Sequence, residues 1–120
     1  MLHKKLTLLP ILAVAMGGAA LAQGDDCSTA TAISGTGTWA LDTTVLTTSA
    51  FNGGGACAAG ASTINQDGFF QWTVPASGDY QFDTFGSSFD TKLSVHAGIG
   101  CAATCVAYND DSGGLQSMVS

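Results

Sequence analysis

From Gly68 onward, large apolar and polar residues alternate along the chain. Phe70, Trp72 and Val74 are separated by Gln71 and Thr73, the two-residue period of a strand with one buried face. Phe69 breaks the alternation and is expected to cover the opposite face. Pro75-Ala76-Ser77-Gly78 follows. Proline presets one turn dihedral and glycine tolerates a positive one, so the chain is expected to reverse there into a hairpin. The return strand over 79–85 places Tyr80 and Phe82 on one face, with Gln81 and Asp83 on the other. After a turn at Gly86-Ser87-Ser88, a third strand sets Thr91, Leu93, Val95 and Ala97 inward, against Lys92, Ser94 and His96 on a wet face. Val106 to Tyr108 and Leu115 to Val119 are two further short strands. Upstream the pattern is weaker: Thr29 to Ile33, Thr38 to Leu41 and Thr43 to Thr48 are strand candidates, and Asn52 to Ser62 reads as a Gly-rich loop. Helical periodicity is missing throughout. Turn signals recurring about every 8 to 12 residues predict an all-β fold, an antiparallel β-sandwich.

The first residues follow another pattern. Met1 to Lys5 supply a short basic region, Leu6 to Met16 is predominantly apolar, and Ala20-Leu21-Ala22 has the small-x-small form read by signal peptidase. Residues 1–22 are therefore expected to be a signal peptide cleaved before Gln23, leaving 23–120 as one domain. A membrane anchor would need roughly 20 apolar residues, and Leu6 to Ala22 provides 17 uncharged ones, with Pro10 and Gly17-Gly18 among them. Lipidation at Cys27 is excluded by the preceding Gly24-Asp25-Asp26, which is no lipobox.

Removing the leader shifts the charge. Lys92 remains the single cation against nine aspartates, a formal net charge of −8. Binding a phosphate backbone requires clustered Lys and Arg, so nucleic acid is excluded as a partner, and no membrane association is expected after cleavage. Every acid is Asp, with no Glu; Asp competes for backbone donors at loops and so favours turns.

Four cysteines, Cys27, Cys57, Cys101 and Cys105, lie beyond the leader. An even number in an exported chain points to disulfides formed in an oxidising compartment. Cys101 is expected to pair with Cys105, since only three residues separate them, leaving Cys27 for Cys57. A metal site competes poorly, because His96 is the one histidine past the leader and no Cys-x-x-Cys occurs.

The run from Gly68 through Phe69-Phe70-Gln71-Trp72-Thr73-Val74-Pro75-Ala76-Ser77-Gly78-Asp79 to Tyr80, then Gly86-Ser87-Ser88-Phe89-Asp90-Thr91-Lys92-Leu93-Ser94-Val95, then Asn109-Asp110-Asp111, resembles the bacterial pre-peptidase C-terminal (PPC-like) domain. The likeness covers roughly residues 25 to 120 and is sharpest from residue 67. It implies a jelly-roll-like sandwich in secreted proteins. Such a module accompanies an extracellular peptidase or surface protein, aids secretion, maturation or substrate attachment, and has no catalytic residues of its own. Because the family pattern continues beyond Leu115 to Ser120 with another hairpin, the sandwich is expected to lack its last strands, and a downstream module is one candidate partner.

Candidate chemistry is sparse. His96 with a serine and an aspartate would suit a hydrolase triad, but such a triad is defined by spatial roles, and the chain has no Gly-x-Ser-x-Gly elbow. Asp25 and Asp26 read as solvated residues near the new N-terminus rather than an acid–base pair. The Asn109-Asp110-Asp111 segment is sharper. Ca²⁺ takes about six to eight oxygen ligands, usually carboxylates and loop carbonyls, and Asp110 and Asp111 helped by Asp90 or Asn109 could supply them. The spacing is not that of an EF-hand, and the competing reading is that these residues only build turns. No cofactor is required, with Ca²⁺ the one candidate.

The function expected is a non-catalytic, secreted accessory or binding module, presenting Trp39, Phe89 or Tyr108 to an extracellular protein or polysaccharide. A purely structural or secretion-assisting domain without a ligand is the alternative, and a hydrolase ranks last.

Overall fold

The computed structural model describes residues 4–9, 24–49, 57 and 64–120. Most of the expected leader, its cleavage point and nearly all of the Gly-rich 52–62 loop therefore lie outside the described residues. The fold is all-β. Its strands are β1 (Lys4–Leu9), β2 (Thr31–Ile33), β3 (Thr38–Ala40), β4 (Phe70–Trp72), β5 (Tyr80–Asp83), β6 (Leu93–Ala97), β7 (Thr104–Asn109) and β8 (Met118–Val119). They form three small sheets, ordered β3-β1-β5-β8, β2-β4 and β6-β7. β1 runs parallel to both of its neighbours and β2 parallel to β4, whereas β5-β8 and β6-β7 are antiparallel. None of the described residues belongs to a helix long and apolar enough to cross a membrane.

The period-two reading holds best at β4, where Phe70 and Trp72 are half-buried around an exposed Gln71. The turn after it forms at Ala76 to Gly78, where the Tyr80 hydroxyl donates to the Ala76 carbonyl at 2.5 Å. The expected hairpin ladder does not form, however: β4 pairs with β2 and β5 with β1 and β8, so the two strands enter different sheets. Their aromatic faces still meet, the Trp72 ring standing edge-on to Tyr80 and Phe82 with centroids 4.8 and 5.4 Å away.

One other expectation changes. Over Thr43–Val45 the chain makes a 3-10 turn instead of a strand, because the Asp42 carboxylate accepts from the Thr44 N–H at 3.0 Å and its hydroxyl at 2.6 Å. In β5, Tyr80, Gln81 and Phe82 are half-buried, while Asp83 is 0% exposed, accepting from the Gln81 amide at 2.9 Å and the Phe85 N–H at 3.2 Å. A buried carboxylate needs protein partners, and Gln81 and Phe85 supply them.

β6 and β7 make the longest antiparallel pair, with Leu93 opposite Asn109 and Ala97 opposite Thr104. Val95 faces Ala107 while His96 faces Cys105, so Val106 is the extra residue of a bulge. Gly98, with φ +124°, begins the reversal between these strands, and a Cβ there would sit 3.0 Å from the Ala103 backbone.

The apolar core is small: Cys27, Ile33, Leu46, Cys57, Leu93, Cys105 and Val119 are the described hydrophobic residues that are buried. Disulfides compensate, but with a pairing that corrects the expected one. Cys27 bonds Cys101, with Cα atoms 4.9 Å apart, and Cys57 bonds Cys105 at 5.6 Å. Cys101 sits exposed in the 3-10 turn at Gly100–Ala102, whereas Cys105 is buried in β7. Proximity in sequence therefore does not become proximity of side chains. The observed bridges span 74 and 48 residues, and closing such long loops constrains the unfolded chain far more than a bridge between neighbours. Two disulfides place the folded chain in an oxidising environment.

Candidate functional site

The Asp90–Thr91 segment and the loop after β7 converge because buried hydroxyls draw them together. Ser117, 0% exposed, places its single hydroxyl between the carbonyls of Thr91 and Asp110, each 2.5 Å away. The Thr84 and Thr91 hydroxyls lie 2.6 Å apart, and the Ser117 N–H donates to Thr84 Oγ1 at 2.8 Å. Backbone bonds close the arrangement, from Thr91 N–H to Leu115 at 2.8 Å and from Ser112 N–H to Gln116 at 2.8 Å. Buried hydroxyls are costly unless bonded, and these are bonded to each other and to backbone.

This clamp gathers three carboxylates far apart in sequence. Oxygens from Asp90, Asp110 and Asp111 lie within 4.8 Å of one another, Asp90 and Asp111 exposed and Asp110 half-buried. All three expected acidic ligands are thus brought together. Asn109 has a bracing part: its Oδ1 accepts from the Met118 N–H at 3.2 Å, holding β8 against the end of β7. Lys92 Nζ stands 3.2 Å from Asp110 Oδ2, and this hydrogen bond holds the ammonium above its ordinary pKa of 10.5. The donor set is all oxygen and carries excess negative charge, which suits a hard divalent cation such as Ca²⁺. Any cation entering would share Asp110 with Lys92.

Beside the cluster runs an open cleft of about 330 Å³ with Phe89, Asp90, Lys92, Ser94 and His96 in its wall. Phe89 is 40% exposed. The other aromatic residues expected to meet a ligand lie elsewhere: Trp39 is half-buried on β3, and Tyr108 packs against the Cys57–Cys105 pair. Within the cleft wall, Ser94 Oγ and His96 Nε2 are 3.0 Å apart. Burial lowers the His96 pKa from 6.5, which keeps the imidazole neutral at pH 7. This contact was readable in advance, since residues i and i+2 of a strand share a face.

The remaining acids mostly fasten loops. Asp25 receives the Thr47 N–H at 2.5 Å and hydroxyl at 2.8 Å, and Asp67 receives the Ser49 N–H at 2.8 Å and hydroxyl at 2.5 Å. Asp26 accepts from the Ser28 N–H at 2.8 Å, which lowers its pKa below 3.8. Asp25 and Asp26 are therefore staples and caps, not merely solvated. Asp26 also adjoins Cys27 and Cys101, but both sulfurs are committed to their disulfide.

Comparison of the chain with family models, with curated proteins and with solved structures finds no match.

Proposed function

We propose that this chain is a non-catalytic module of an exported protein, and that the loop end bearing Phe89, Asp90, Asp110 and Asp111 is its ligand-facing surface. The observation that carries the reading is the assembly of three carboxylates beside an exposed aromatic ring, held by a hydroxyl clamp rather than left on independent loops. An aromatic ring beside fixed oxygen ligands offers stacking and cation-bridged contact together, which suits an extracellular polysaccharide or protein. Calcium in this cluster would act as a structural and bridging ion. The basic-then-apolar leader and the two disulfides support secretion, and the PPC-like run from Gly68 to Asp111 supports an accessory role next to a peptidase or surface module.

Pull-down on insoluble polysaccharides and on a collagen-like protein, with Ca²⁺ and with chelator, tests the proposal. Saturable binding weakened by Phe89→Ala supports it. Failure of the folded protein to bind any of these supports the ligand-free structural accessory instead.

A further inference from the structure

A second cleft, separate from the acidic loop end, opens between the β2-β4 and β6-β7 sheets beside β5, with a volume of about 380 Å³. Phe70, Trp72, Tyr80, Phe82, Leu93 and Val95 are among the described residues lining it. Protein interiors rarely leave voids larger than a water molecule, and an unfilled apolar void destabilises in proportion to its volume. The four aromatic side chains here are each only half-buried, so their rings border accessible space.

The wall is also fixed. Trp72 Nε1–H donates to the Gly35 carbonyl at 2.7 Å and the Tyr80 hydroxyl to Ala76 at 2.5 Å, so the polar atoms of both rings are engaged outside the cleft. Edge-on packing of Trp72 against Tyr80 and Phe82 orients the three rings together. Among the described lining residues there is neither a carboxylate nor a lysine. Besides the engaged ring atoms, the polar side chains among its described lining residues are Gln71, Ser94 and His96, the last two 3.0 Å apart. The volume falls at the lower end of the roughly 300–1,000 Å³ typical of small-molecule sites.

We propose that this cleft binds a small, uncharged, largely apolar ligand, aromatic or alicyclic, stacked against Trp72 and Phe82 with at most one hydrogen bond to the Ser94–His96 pair. An anionic amphiphile is disfavoured, because residues 23–120 hold one lysine, Lys92, and it is bound to Asp110 in the other cleft. The two clefts share Gly68, Leu93, Ser94 and His96, but the site does not depend on the polymer-binding reading, and variants separate the two, since neither Phe89 nor Asp110 lines this cleft and neither Trp72 nor Val95 lines the other.

The test is a fluorescence titration of the full, oxidised protein with N-phenyl-1-naphthylamine, a neutral apolar dye, alongside the anionic dye 1-anilinonaphthalene-8-sulfonate. Near-UV circular dichroism and a cooperative melt establish that the protein is folded. The chain contains two tryptophans, so Trp39→Phe leaves Trp72 as the only tryptophan, read by excitation at a wavelength that tyrosine does not absorb. The expected result is saturable one-site binding of the neutral dye, quenching of Trp72 emission, weaker binding of the anion, and about tenfold or greater loss of affinity in Val95→Trp, which fills the cleft. Folded protein that takes up no neutral dye overturns the proposal, as does equal affinity for the anion or unchanged affinity in Val95→Trp. If Val95→Trp does not fold, the Trp39→Phe protein decides: dye bound with Trp72 quenched sustains the site, and dye bound without quenching refutes it.

Discussion

Two adjoining regions of the molecule are stabilised by opposite means. Around Thr84, Thr91 and Ser117 the side chains are small, polar and buried, and hydrogen bonds join nearly every group to two chain segments. Around Phe70, Trp72, Tyr80 and Phe82 the side chains are large and apolar, yet only half-buried. In a chain with so small an apolar core, burial of large residues is not what holds the loops in place. Bonded hydroxyls and long-range disulfides do that, and the aromatic wall is left facing an open cleft.

The largest effect should come from the cross-links that serve both regions. Each disulfide is worth roughly 4 kcal/mol in the chain-entropy account, so reduction should abolish the cooperative melt, and Cys57→Ser with Cys105→Ser should cost about that amount in urea denaturation. Non-reducing peptide mapping should recover Cys27 with Cys101 and Cys57 with Cys105; a Cys101–Cys105 peptide would refute the pairing.

A smaller, more discriminating effect separates the two regions. Ser117→Ala removes the hydroxyl shared by the Thr91 and Asp110 carbonyls and should cost about 1–3 kcal/mol. Phe82→Leu, at the half-buried wall, should cost less than about 1.5 kcal/mol. Equal losses measured by denaturant unfolding would erase the proposed contrast.

Acid should act in two stages. The folded-state pKa of His96 is depressed below 6.5 by burial, so the unfolded chain binds the proton first and stability falls as pH drops below about 6.5; His96→Gln should remove this stage from the profile of Tm against pH. Asp26 and Asp42 are depressed below 3.8 by hydrogen bonds from Ser28 and Thr44, respectively. Their contribution is present above 3.8 and is lost as pH falls through their lower folded values. The smallest expected change is Lys92→Met, which frees Asp110 from its ammonium partner and should tighten Ca²⁺ binding, as read by isothermal titration.

The sequence made the aromatic region legible and hid the hydroxyl-bonded one. Phe70 and Trp72 announce a strand by alternation alone, and Asp110-Asp111 with Asp90 stand out as candidate oxygen ligands. Thr84, Thr91 and Ser117 carry no such signal, because a threonine or serine reads the same whether it is exposed in a turn or buried in a network. The burial of Asp83 was hidden for a similar reason: period two says which residues share a face, but not which of them is buried. The β4–β5 connection looks locally like a hairpin, and only partners distant in sequence send its two strands to different sheets. The number of cysteines gave the number of bridges, but their spacing pointed to the wrong partners, which only the tertiary fold decides.

The central claim is that the clamp at Ser117 presents Asp90, Asp110 and Asp111 as one cation-holding face. A thermal melt with millimolar Ca²⁺ and with chelator tests it most directly, since a ligand selective for the folded state raises stability by mass action. The account predicts an upward shift in Tm for the wild-type protein, lost in Asp110→Asn with Asp111→Asn and reduced in Ser117→Ala. A cooperative melt unmoved by Ca²⁺ would contradict it, leaving the three aspartates as turn-forming residues only.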